Sequence, residues 1–160
     1  MKDTIVLGLG NPLMGDEGVG CRVVELLQST CGDKLPLVEF VDAGVGGMKV
    51  LHLIAGRRKA VFIDCARMGA EPGTIRRFTP DDVESVKQLT HLSLHEADLM
   101  QILRLSRQLG ECPPDVVIFG IEPMAVRAHP ALSPQITGRL GDYATLVRKD
   151  LETHFGRANA

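Results

Sequence analysis

No apolar run in this chain approaches the roughly 18 residues that a membrane-spanning helix needs, because Lys, Arg, Asp or Glu interrupts every hydrophobic segment. The opening residues Met1 to Gly8 carry one basic side chain and a short apolar run without a small-residue cleavage site, which argues against a secretory leader. Cys21, Cys31, Cys65 and Cys112 form no CxxC pair; in a chain large enough to need no staples they read as free thiols of a reducing cytoplasm. Positive charge is not in excess. Eighteen Lys and Arg against twenty Asp and Glu leave a formal net charge of -2, so no global field holds a polyanion such as nucleic acid. Repeats, low-complexity tracts and linkers are missing too, and 160 residues with 44% hydrophobic content suit one compact domain spanning 1–160.

What is present is an alternation of short apolar runs and amphipathic stretches. Thr4 to Leu9 reads as a buried strand, and Val19 to Leu27 places Val19, Val23, Val24, Leu26 and Leu27 on a helical face. Leu37 to Val41 is a second strand, followed by a glycine-rich loop from Asp42 to Gly47 and a helix from Met48 to Ile54. Ala60 to Ile63 is a third strand. After the turn signal Pro72-Gly73, Thr74 to Phe78 reads as an edge strand. Pro80 to Lys87 is expected to be a short helix capped by Thr79. Glu96 to Leu109 is expected to form a long helix, Val116 to Ile121 the last strand, and Pro134 to Phe155 a terminal helix loosened by Gly138 and Gly141. Strands alternating with helices imply an α/β, three-layer domain: a mostly parallel sheet of about five strands with helices on both faces.

In open α/β sheets ligands gather outside the carboxyl ends of the strands. That rule brings Asn11, Asp16 and Glu17 from the first strand, Asp42 from the second, Asp64 from the third and Glu122 from the last to one edge. His91 and His95, in the segment before the long helix, can reach the same edge. Glu17, Asp64 and a histidine make two oxygen donors and one imidazole nitrogen, a set that suits nickel, zinc or iron with coordination positions left open. Such a set points to metal-assisted hydrolysis. Each acid also has a plainer reading as a helix N-cap or a solvated charge. Gly8 and Gly10 permit a sharp turn or a close backbone approach, and Asn11 can brace the loop through its amide. Asp16 is a candidate cap for the following helix, which would leave Glu17 facing the cleft. The dinucleotide fingerprint GxGxxG fails because Leu13 stands at its third glycine position.

Gly8-Leu9-Gly10-Asn11, Asp16-Glu17 and Gly18-Val19-Gly20 together resemble the opening pattern of the hydrogenase maturation proteases. The resemblance runs on through Asp42-Ala43-Gly44, Phe62-Ile63-Asp64-Cys65-Ala66, Pro72-Gly73-Thr74, Ser93-Leu94-His95 and Gly120-Ile121-Glu122-Pro123. It implies an endopeptidase that removes the C-terminal extension of the nickel-iron hydrogenase large-subunit precursor after nickel insertion. It also implies that Glu17, Asp64 and His95 bind metal and carry the chemistry. The nickel would arrive with the substrate as the recognition element. His95 is preferred to His91 because Ser93-Leu94-His95 precedes the long helix as the family's histidine does. Asn11, Asp16, Asp42 and Gly44 are expected to shape the cleft that takes the extension.

Gly8-Leu9-Gly10-Asn11-Pro12 also resembles the start of bacterial peptidyl-tRNA hydrolase, yet no His-Asn pair follows anywhere in the chain and the net charge does not suit tRNA. A non-catalytic nickel-binding module would keep the same acids and histidine. Neither Ser93 nor Cys65 lies in a GxSxG nucleophile elbow. Cys65, beside Asp64, reads either as a reactive thiol or as a small buried residue.

Overall fold

A computed structural model describes residues 1–85 and 94–158, without the side chains of 84–85, 94–97 and 157–158. Five strands, β1 (Thr4–Gly8), β2 (Val38–Asp42), β3 (Lys59–Cys65), β4 (Ile75–Phe78) and β5 (Asp115–Ile121), form one sheet in the order β2-β1-β3-β5-β4. All neighbours are parallel except β4, which lies antiparallel on the β5 edge. The central strands β1 and β3 are buried along their whole length. A strand covered on both faces has no polar side to expose, which is why its sequence is nearly continuously apolar.

The helices are α1 (Val19–Cys31), α2 (Met48–Ile54), α3 (Pro80–Ser85), α4 (Leu94–Gln108), α5 (Pro134–Thr137) and α6 (Leu140–Ala158). Alternation along the strands divides the core in two. Val6, Val61, Ile63 and Val117 face α1 and α6 through Val23, Leu27, Val147 and Leu151. Ile5, Leu7, Phe62 and Ile118 face α2 and α4 through Val50, Ile54, Leu99 and Leu103. The expected α/β architecture, with its mostly parallel five-stranded sheet, is the one observed.

Three local expectations change. Asp16 does not cap α1: it lies in a 3-10 turn (Gly15–Gly18), and the N-cap of α1 is Gly18, with no side-chain capping bond. The terminal helix is broken in two, because α5 ends at Thr137, with Gly138 as its C-cap, and α6 starts at Leu140. Gly141 lies within α6. The long helix begins at Leu94, so His95 belongs to its first turn and not to the segment before it. Thr79 caps α3 as expected: its hydroxyl accepts the Asp82 amide at 3.3 Å, and the Asp82 carboxylate accepts the Thr79 amide at 2.9 Å. His91 and Ser93 lie outside the described residues.

Candidate active site at the carboxyl edge of the sheet

The strand order reverses between β1 and β3. The crossover through α1 leads outward to β2, and the one through α2 returns past β1 to β3. Such a switch point leaves a crevice beyond the carboxyl ends of the two strands, since their loops depart in opposite directions. Gly8 of β1 pairs with Asp42 of β2 and Ile63 of β3, and Asp64 pairs with Gly120 of β5. Register therefore puts the loop carrying Glu17 beside Asp64.

The glycines of the opening loop serve close packing. A β-carbon on Gly8 would sit 2.5 Å from the Gly20 carbonyl oxygen, and one on Gly20 would collide with the Ile63 carbonyl oxygen. Helix α1 can therefore begin directly against β1 and β3. Gly10, at φ 128°, likewise leaves room for the Glu17 carbonyl. Backbone bonds then stitch the edge together: the Leu9 amide donates to Ile63 at 2.9 Å, the Gly10 amide to Gly44 at 2.7 Å and the Ala43 amide to Gly8 at 2.9 Å.

Asp64 is 1% exposed at the end of β3, and Glu17 is half-buried. Both carboxylates act electrostatically on the Cys65 thiol, and Asp42 and Asp64 act together on Cys21, so these acids share one neighbourhood. Burial, reinforced by those charges, pushes the Cys65 thiol far above its ordinary range. Cys21 is pushed up to about 12 by burial and by Asp42. Both shifts act against a thiolate, and the burial of both sulfurs agrees with the buried-residue reading of Cys65. All four cysteines are free.

Asp16 is fully buried and its carboxylate is consumed internally. It accepts the amides of Met124 and Ala125, both at 2.9 Å, and the amide and hydroxyl of Ser133 at 2.7 and 2.8 Å. Burial alone would raise its pKa, but these donors outweigh it and hold the carboxyl below the usual aspartate value. Asp16 thus offers no carboxylate oxygen to a cleft; it clamps the loop after β5 to the turn bearing Glu17. The same two segments meet through the Gly15 amide on the His129 carbonyl at 2.8 Å and the His129 amide on that of Leu13 at 3.0 Å. Nothing in the local sequence pointed to Ser133, which lies 117 residues from its partner.

Asn11 braces the loop as expected, its side-chain oxygen accepting the Leu13 amide at 3.0 Å. Asp42 accepts the Gly44 amide at 2.9 Å, an Asx turn that shapes the glycine loop. Gly44 has φ 54°. Glu122, 8% exposed, accepts the Met68 amide and so helps to organise the loop after β3.

Helix α4 runs from the same edge toward the start of β5. Asp98, Leu99 and Ile102 of α4 line a groove with Leu9, Val45 and Val50 beside the switch point. The backbone of His95, one turn earlier, therefore belongs to this edge. Asp98 escaped the sequence reading, although its position three residues after His95 on a helix could have suggested it. Among the described residues, which omit the His95 side chain, no three His, Cys, Asp or Glu side chains form a metal-holding group.

Fold and register define an open α/β protein that carries Glu17, Asp42 and Asp64 at or just beyond the carboxyl ends of β1, β2 and β3, where the strand order reverses. The chain belongs to the hydrogenase maturation protease family: the sequence model described as "Hydrogenase maturation protease" matches residues 21–149. It is 32% identical over 135 residues to the hydrogenase 2 maturation protease of Escherichia coli, covering 82% of this chain and 80% of that one. It is 30% identical over 142 residues to the hydrogenase expression/formation protein HupD of Rhodobacter capsulatus, covering 88% of this chain. The chain spans 58 to 66% of the length of three HupD and HoxM relatives that it matches. The solved hydrogenase maturating endopeptidase HybD of E. coli superposes with a TM-score of 0.82 at 27% identity, covering 94% of this chain and 93% of that one.

Proposed function

We propose that this chain is an endopeptidase that removes the C-terminal extension of the nickel-iron hydrogenase large-subunit precursor, and that nickel already bound in the precursor is what it recognises. The observation that carries this reading is that Glu17, in the turn after β1, and Asp64, at the end of the adjacent β3, share the electrostatic neighbourhood of Cys65 at the switch point, within a chain of the hydrogenase maturation protease family. The names of its relatives, a hydrogenase 2 maturation protease and a maturating endopeptidase, support the substrate class.

Glu17, Asp64 and His95 would hold the substrate's nickel. Two carboxylates and an imidazole fit a borderline divalent ion and leave positions for the precursor's own ligands. The metal would supply Lewis acidity at the scissile carbonyl. This chain's residues would then orient the peptide bond and take the proton of an attacking water on a carboxylate. The burial of Cys65 and Cys21 supports water over a thiol as nucleophile. Asp42 and Gly44, on the exposed turn after β2, would form the wall along which the extension lies. A cytoplasmic site of action agrees with four free thiols, and among the described residues no helix is long and apolar enough to cross a membrane.

The decisive experiment incubates the protein with nickel-loaded and nickel-free precursor and reads the C-terminal mass of the product. Cleavage of the loaded form alone is expected; cleavage of both or of neither overturns the metal-gated reading. Glu17→Ala, Asp64→Ala and His95→Ala should each abolish processing with the fold retained, whereas His91→Ala should process normally. Variants that lose nickel affinity in a parent chain that never cleaves would indicate a binding module instead.

A further inference from the structure

The segment Gly120-Ile121-Glu122-Pro123 takes no part in the proposed chemistry, yet its acid is withdrawn from water. What that acid holds is read from its bonds. The Glu122 side chain accepts the Met68 amide, its own amide donates to the Thr74 carbonyl at 2.9 Å, and its carbonyl accepts the Gly73 amide at 2.8 Å. One residue earlier, the Ile121 carbonyl accepts the Ala66 amide at 2.9 Å. The end of β5 is thus fastened to the chain that follows Asp64. Packing is close there too: a β-carbon on Gly120, the register partner of Asp64, would lie 3.0 Å from that of Ala66.

Two residues beyond Glu122 the same segment turns to the other acid. The amides of Met124 and Ala125 donate to Asp16 Oδ2, both at 2.9 Å, and the Asp16 amide returns a bond to the Ala125 carbonyl at 3.0 Å. Between the two sets of bonds stands only Pro123, a buried residue whose ring fixes φ near about −65°. Residues 122–125 therefore make a short strut, at most roughly 11 Å between its outer α-carbons. Its base rests on the β3 and β5 ends, and its tip on the turn that bears Glu17. Asp64 is fixed by the sheet itself, within β3. Glu17 is not, because it lies in a turn beyond Gly8, the last residue of β1. Gly10 backs one part of that turn, where a β-carbon would collide with the Glu17 carbonyl, and the strut holds another.

We propose that Asp16 and Glu122 are positioning residues that set Glu17 relative to Asp64 through this strut. The assignment rests on the proposed role of Glu17 and Asp64 in gripping the substrate's nickel, for which each donor must reach the ion within a few tenths of an ångström. Both carboxylates act through backbone amides and neither touches the substrate.

The test compares binding of nickel-loaded and nickel-free full-length precursor to the parent chain, Asp16→Asn, Glu122→Ala and Glu122→Gln, each confirmed as folded by its melting curve. Asp150→Asn, at the opposite edge of the sheet, is the control for lost stability. Asp16→Asn and Glu122→Ala should weaken binding of the loaded form about tenfold, the scale of a partner that orients a metal ligand, and leave the nickel-free form within about twofold. Glu122→Gln keeps an acceptor oxygen for the Met68 amide and should restore binding. In a Glu17→Ala background Glu122→Ala should add less than about twofold, since the group it positions is gone. An undiminished effect in that background, or the same loss in Asp150→Asn, overturns the proposal. If Asp16→Asn does not fold, Ser133→Ala, which removes one of the four donors to Asp16, should shift binding in the same direction by about threefold, and no shift overturns it. A parent chain that binds both precursors equally refutes nickel recognition instead, and the strut is then judged by amide hydrogen exchange. Exchange about tenfold faster at Gly15 to Glu17 in Asp16→Asn, and unchanged there in Asp150→Asn, supports it; equal exchange in the two overturns it.

Discussion

Asp16 and Glu17 are neighbours in sequence with opposite fates. Asp16 gives both oxygens to a loop more than a hundred residues away, while Glu17 keeps a half-exposed position at the crevice. A buried acceptor with four donors cannot be removed cheaply, because each donor is left without water or partner. Asp16→Ala should therefore destabilise the protein by about 2–4 kcal/mol, read as a lower urea midpoint. Cys65 makes the opposite case. Its thiol is buried and pushed away from ionisation, so Cys65→Ala should leave the proposed processing of the precursor intact, as read by product mass. At pH 8, iodoacetamide should label Cys112, the only cysteine that is not buried, well before Cys21 or Cys65.

Element by element, the far end of the sheet is held by charge. Lys59 opens β3 at 2% exposure, with its ammonium 3.2 Å from Asp115 of β5 and 2.9 Å from Asp150 of α6. Arg77 of β4 meets the other oxygen of Asp150 at 2.8 Å. One carboxylate thus ties α6 to both a central and an edge strand. Removing it leaves a desolvated ammonium short of one partner. Asp150→Ala should cost about 3 kcal/mol, whereas Lys59→Met/Asp150→Leu, which removes the buried charges together, should recover most of that loss. Comparing the chemical denaturation midpoints of the single and double variants checks it. This network lies at the amino edge and shares no residue with the candidate site.

For the molecule as a whole, both Asp16 and Asp150 titrate below the ordinary aspartate value. Burial raises each, but hydrogen bonds at Asp16, and Lys59 and Arg77 at Asp150, prevail. The folded chain therefore binds fewer protons than the unfolded chain between those depressed values and about 3.9. This contribution to stability is fully present above about pH 5 and is lost as the pH falls through the folded values. Urea midpoints from pH 6 to pH 2.5 should fall more steeply in the parent chain than in Asp16→Asn. Much of the architecture was legible beforehand. Continuous apolar runs marked β1 and β3, Thr79-Pro80 marked the start of α3, and the glycine loop marked the entry to α2, because backbone propensity and periodicity act over a few residues. The candidates Glu17 and Asp64 could be named from the rule that strand ends carry function. Long-range partners could not. The burial of Asp16 against Ser133, the diversion of Glu122 to Met68 and the break between α5 and α6 depend on which segments meet in space. The opening motif thus determined by itself where a site could be, since its glycines admit only close packing or tight turns. Only tertiary structure decided which of Asp16 and Glu17 is buried, because a carboxylate goes to whichever donors the fold brings within hydrogen-bonding distance.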